Sequence, residues 1–227
     1  MLEEANVRLN DATIQVSEWF QKKGFRTCIL KGQGNALMYP TPYSRTPGDI
    51  DIWVEGGDKR VISFVRSISP HEKACYHHIE FPSYKGVEVE VHYRPSFLLC
   101  FWHNRKLQKY YERVKEEQFS HRVMLGEQGE IAIPTAEFNL IFLLTHIYAH
   151  LMNEGIELRQ LLLLISDDLS LIRDRVQKEL KELGVWKFAG GIMYIMQEVF
   201  GMPASRLIVP PNEKYGKFVL NEVLEAG

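Results

Sequence analysis

The chain has 227 residues, 45% of them apolar and 25% charged, with a formal net charge of −2. Those proportions suit a globular protein of one large or two small domains and exclude a disordered or fibrous chain. A charge so close to neutral gives no global field for a polyanion, so strong non-specific nucleic-acid binding is not expected.

The three cysteines, Cys28, Cys75 and Cys100, are oddly numbered and lack the paired spacing of a zinc site. They read as reduced core residues of a cytoplasmic protein. The charged N-terminus implies no export signal, and no stretch approaches the roughly 18 apolar residues that a membrane span needs.

Residues 2–23 set Val7, Ile14, Val16, Trp19 and Phe20 among polar residues at helical spacing and end at Gly24, which predicts an amphipathic helix. Phe25–Leu30 reads as a first strand, and Lys31-Gly32-Gln33-Gly34 as a turn into a brief helix that Pro40 and Pro42 stop. A proline-tethered loop then leads through Arg45 to a second strand, Asp49–Val54. Alternation puts Asp49 and Asp51 on one side of that strand and Ile50, Ile52 and Val54 on the other. Two adjacent carboxylates raise each other's pKa unless a cation or a shared proton lies between them. Hard oxygen ligands of this kind suit Mg²⁺ or Mn²⁺.

The glycines also imitate a dinucleotide fingerprint. The imitation fails, because Leu37 holds the third glycine position and the prolines leave too little helix for a crossover.

Gly57–Ser69 reads as a helix, followed by strands at about 74–82 and 86–93 joined through the turn Pro82-Ser83-Tyr84-Lys85-Gly86. On the second of these, Glu88, Glu90 and His92 share the polar face while Val87, Val89 and Val91 face the core. Glu90 is thereby placed to join the aspartates.

From Ser96 onward helices prevail, apart from a small hairpin around Val123–Ile133. A helix opens at Pro134-Thr135-Ala136-Glu137, and others are expected over 156–166, 168–183, 185–200 and from Asn212. The last carries Phe218, Val219, Leu220, Val223 and Leu224 with no polar closing segment, the pattern of a chain that continues or that a partner covers. His146 and His150 lie four apart on one helical face. Ile147 follows the first histidine where a zinc-peptidase helix has its glutamate, so that reading is set aside.

A glycine turn after a first strand, an Asp-x-Asp at the start of the second and a later strand carboxylate resemble the polymerase-β-type nucleotidyltransferase superfamily. More narrowly, Leu30-Lys31-Gly32, the loop from Tyr39 to Arg45 and Gly48-Asp49-Ile50-Asp51 are similar to the bacterial family of uncharacterised nucleotidyltransferases. The fold expected is α+β: a small mixed β-sheet core with flanking helices over residues 1–95, then a mainly helical subdomain over 96–227.

The resemblance implies a metal-dependent enzyme that moves a nucleoside monophosphate from a nucleoside triphosphate to an acceptor hydroxyl, with the acceptor unidentified. Asp49, Asp51 and Glu90 would be the catalytic and metal-binding residues, with Mg²⁺ or Mn²⁺. Lys31, Gly32, Gly34 and Arg45 would contact the nucleotide, and His92, His146, His150 and Arg159 the substrate. The alternative is a non-catalytic nucleotide-sensing or partner-binding module on the same fold. Gln33 stands where the superfamily usually has a second small residue.

Overall fold

Helix α1 (Leu2–Lys22) carries Glu3 and Glu4 in its first turn and Lys22 in its last, charges that suit the helix dipole at each end. Leu9, Ala12, Val16 and Phe20 form its buried apolar stripe. A second buried stripe on the same helix is polar: Asn6, Asn10, Thr13 and Ser17 recur at helical spacing and are all at most 3% exposed. Buried polar groups persist when they are hydrogen-bonded, and these bonds reach the elements that follow. Ser17 and Thr27 share a hydroxyl hydrogen bond of 2.6 Å, and Asn6 Nδ2 donates to the carbonyl of Tyr43 at 3.1 Å.

The structure is a computed structural model that describes residues 2–37, 41, 43, 46–127, 129–151 and 171–226. Residues 1–95 with 111–135 form one compact unit, and 96–110 with 136–227 a second. The sequence expects a single division near residue 95. Segment 111–135 instead clusters with the first unit, where Tyr111 and Phe119 lie against Trp53 with ring centroids 6.4 and 4.6 Å away.

The first unit is built on a four-stranded mixed sheet of β1 (Thr27–Ile29), β2 (Ile50–Val54), β3 (His78–Tyr84) and β4 (Val87–His92), in the order β1-β2-β4-β3. The two outer pairings are antiparallel, while β2 and β4 run parallel at the centre. Helix α3 (Gly57–Ile68) makes the crossover after β2 and buries Val61 and Val65.

The β3–β4 hairpin closes on Lys85 and Gly86, both with positive φ (53° and 80°). That is the two-residue loop whose twist matches the flanking strands. Ile50, Ile52 and Val54 meet Val89 and Val91 in one core with Leu9, Val16 and Phe20 of α1. The apolar face anticipated for the second strand is therefore the core face, and the carboxylates project from the other.

Between β1 and β2 runs the short helix α2 (Gly32–Ala36). Helix α4 (Phe101–Ser120) precedes a hairpin of β5 (Arg122–Leu125) and β6 (Gly129–Ala132) in antiparallel register. In the second unit lie α5 (Ala136–Leu151), α6 (Arg173–Glu182), α7 (Trp186–Glu198) and α8 (Glu213–Ala226). The stretch expected as a helix over 156–166 lies outside the described residues. Its neighbour, expected from 168, is described from 171 and is helical from Arg173.

Among the described residues no helix is long and apolar enough to cross a membrane. Of the cysteines only Cys28 is in the core. Cys75 and Cys100 are exposed, which corrects the reading of all three as core residues.

Candidate active site

The register of the sheet builds the site. Asp51 is the parallel-ladder partner of Glu90, as Trp53 is of His92. Partners in adjacent strands point to the same face, so a carboxylate from each central strand projects side by side. Asp49 sits just before β2 on the same side. Ligand oxygens of Asp49, Asp51 and Glu90 all lie within 4.8 Å of one another.

The β1–α2 turn brings in the first cation. The amide of Leu30 donates to the carbonyl of Asp51 at 3.0 Å, so the next residue, Lys31, emerges beside the aspartate. Lys31 Nζ is 2.8 Å from Asp51 Oδ1. Gly32 then takes φ +54°, and a Cβ there would stand 3.2 Å from the carbonyl oxygen of Asp49. Glycine is required on both counts, conformation and close backbone approach. Gly34 packs on Ile133, whose methyl would lie 3.0 Å from an added Cβ.

Gln33, the departure from the superfamily pattern, points away from this turn. Its Nε2 donates to Asn10 Oδ1 and to the carbonyl of Asn6 on α1. It ties the turn to the polar stripe of that helix.

His92 supplies the second cation. It is fully buried, and its Nε2 lies 3.0 Å from Asp51 Oδ1 and 3.3 Å from Glu90 Oε2. Burial would hold this imidazole neutral, but the hydrogen bonds to Asp51 and then to Glu90 prevail and raise its pKa to about 9. A side chain spent in this way orients the two carboxylates. The ring is 0% exposed.

The charges around Asp51 and Asp49 are unequal. Burial works against ionised Asp51, yet the charge of Lys31 and the bond to His92 hold it well below the usual carboxylate range. Lys31 is likewise opposed by burial and kept above the usual lysine range by Asp51. Asp49 is raised, first by the charge of Asp51 and then by burial. Burial also opposes the charge of Glu90, but its bond to His92 outweighs this and lowers its pKa.

Two atoms in this network stand apart: Asp51 Oδ2 and His92 Nδ1 are buried and have no hydrogen-bond partner among the described residues. A buried, unpaired carboxylate oxygen is costly unless a cation sits beside it.

Arg45 and Arg159 lie outside the described residues. His146 and His150 are on α5 in the second unit, their ring centroids 4.2 Å apart. His78, which the sequence reading passed over, lies with Nδ1 3.5 Å from Glu90 Oε2. The signal was present in the alternation of β3, but its importance depends on the antiparallel pairing of His78 with His92.

The model of a protein family described as an uncharacterised nucleotidyltransferase matches residues 1–201. A search of the curated proteins finds no match to the chain.

Proposed function

The chain belongs to the uncharacterised nucleotidyltransferase family, and on that premise we propose that it transfers a nucleoside monophosphate from a nucleoside triphosphate to an acceptor hydroxyl, with Mg²⁺ or Mn²⁺ held by Asp49, Asp51 and Glu90. The observation that carries this reading is the convergence of those three carboxylates within 4.8 Å. The unpartnered buried oxygen of Asp51 supports a cation at the same place. All-oxygen donors of this kind fit a hard divalent ion. When bound, such an ion neutralises phosphate charge and lowers the pKa of an attacking hydroxyl.

The protein's own groups have distinct parts in this reading. Asp49 and Asp51 are the ligands nearest the glycine turn, and Glu90 is the carboxylate that receives the proton of the acceptor hydroxyl. His92 holds Asp51 and Glu90 in one orientation through a single nitrogen. Lys31 keeps Asp51 ionised and is the cation available to phosphate oxygens. Gly32 and Gly34 let the backbone approach the triphosphate. Arg45 grips the triphosphate as a bidentate fork, while His146, His150 and Arg159 serve the acceptor.

The test is a thermal-shift screen of nucleoside triphosphates with and without Mg²⁺, followed by turnover of the labelled triphosphate across an acceptor panel. Ligand at ~100 times its Kd adds ~2.7 kcal/mol of stability, which a melting curve resolves. Mg²⁺-dependent stabilisation with release of pyrophosphate is the expected result. Stabilisation without turnover on any acceptor favours the nucleotide-sensing module, and no Mg²⁺-dependent shift with any triphosphate overturns the reading.

A further inference from the structure

A second group of ligand-bearing side chains stands on the segment that leads into β3. Ligand atoms of Cys75, His77 and His78 all lie within 4.8 Å of one another. Cys75 Sγ is 3.4 Å from His77 Nδ1, and His77 Nε2 is 3.1 Å from His78 Nδ1. The thiol is exposed and both imidazoles are half-buried, so the group is open to solvent.

The backbone beneath it is fixed. The amide of Cys75 donates to the carbonyl of His78 at 2.9 Å, and Ala74 bridges to Ile79. The Tyr93 hydroxyl donates to the carbonyl of Cys75. Arg94 Nη1 donates to the carbonyl of Tyr76 at 2.7 Å. The amides of Tyr93 and Arg94 both donate to the carbonyl of His77, at 3.0 and 3.1 Å. Each carbonyl from Cys75 to His78 is therefore held, and the three side chains project from a template set by the end of β4. Ligands held in advance in this way spare the ordering cost that a mobile loop would pay on binding a metal.

We propose that Cys75, His77 and His78 form a binding site for a borderline-soft divalent ion of the zinc class, separate from the carboxylate cluster. A thiolate with two imidazoles selects such ions over Mg²⁺ and Ca²⁺, which prefer oxygen. Three protein ligands leave the fourth tetrahedral position for water or a substrate atom, the pattern of an open rather than a purely structural site. Glu90 Oε2 lies 3.5 Å from His78 Nδ1, the nitrogen that also faces His77. His78 thus touches both clusters, since it also groups with Glu90 and His92 within 4.8 Å.

The test uses the 227-residue chain without a histidine tag, stripped of metal and titrated with Co²⁺ alone. One equivalent should bind, with a near-ultraviolet thiolate-to-cobalt charge-transfer band and intense four-coordinate visible bands, and Zn²⁺ should displace it stoichiometrically while Mg²⁺ does not. Cys75→Ser should abolish the near-ultraviolet band, and His77→Ala and His78→Ala should each weaken Co²⁺ binding about tenfold or more. Asp49→Asn should leave the spectrum intact. The absence of a charge-transfer band, its persistence in Cys75→Ser, or its loss in Asp49→Asn would each overturn the proposal. Far-ultraviolet circular dichroism of Cys75→Ser, a change at an exposed side chain, confirms that any loss is of the ligand and not of the fold.

Discussion

Lys31 Nζ stands 2.8 Å from Oδ1 of Asp51, a carboxylate only 1% exposed. The two aspartates that share a strand face are for that reason energetically opposite: Asp51 is paired and held ionised, while Asp49 bears the repulsion.

The first prediction separates them by stability alone. Asp51→Asn leaves Lys31 and His92 without their shared counter-charge, and breaking a buried pair from one side costs ~3–5 kcal/mol. Asp49→Asn removes a repulsion, so in chelator-treated buffer its Tm should equal or exceed that of the unaltered protein. Differential scanning fluorimetry decides the matter, and equal losses in both variants would contradict this account of the cluster.

A second prediction follows from His92. Its pKa rises from 6.5 to about 9 in the folded protein, so the folded state binds its proton more tightly than the unfolded state. The resulting stabilisation is complete below the unfolded value and fades as pH climbs through the folded one. In metal-free buffer the Tm should decline between about pH 6.5 and 9, and His92→Gln should lower the Tm and flatten that decline. A His92 ring that loses its proton below pH 7 in an NMR titration would refute this.

Glu90 and Glu88 form an internal comparison on one strand. Glu90 lies among the carboxylates, whereas Glu88 is exposed. Glu90→Gln should leave triphosphate affinity within a few-fold and reduce turnover by ~10²–10⁴, the usual effect of removing a positioned base. Glu88→Gln should leave turnover within about twofold, so steady-state kinetics on the two variants side by side are the check.

Gly32→Ala tests the turn. Alanine at φ +54°, with its Cβ 3.2 Å from the Asp49 carbonyl, should cost more than ~1 kcal/mol. It should also weaken Mg²⁺-dependent triphosphate binding, because the backbone it displaces carries Asp49. Titration calorimetry reads the second effect independently of the first.

Much of this arrangement is legible in the sequence, and the remainder has an identifiable physical origin. Strand periodicity alone puts Asp49 and Asp51 on one face and Glu90 on the polar side of β4, because side chains alternate whatever the strands' partners are. The hairpin of β3 and β4 is likewise local, carried by Lys85 and Gly86. That β2 pairs with β4, in a register that sets Asp51 beside Glu90, is a non-local fact that no run of residues announces.

The ion pair of Lys31 with Asp51 and the burial of His92 follow from that register, and both were hidden for the same reason. The polar stripe of α1 was legible in principle, but four hydrogen-bonding residues at helical spacing read as a solvated face until their partners are known. Cys75 misled differently: a cysteine is usually a core residue, and only the turn closed against Tyr93 and Arg94 shows it outside.

The contact between Gln33 and Asn10 bears on how this sequence can drift. A change of Gln33 to the small residue usual in the superfamily would strip Asn10 Oδ1 of its donor, and a change of Asn10 to an apolar residue would leave Gln33 Nε2 only its longer bond, 3.4 Å, to the Asn6 carbonyl. The first step carries the penalty of an unsatisfied buried group, ~1–3 kcal/mol, and the second costs Gln33 its shorter bond, while the double step that replaces both with apolar groups can be nearly neutral. The two positions, one on the first helix and one in the glycine turn, are thus expected to vary together among related chains, so that the helix has evolved as part of the turn it holds.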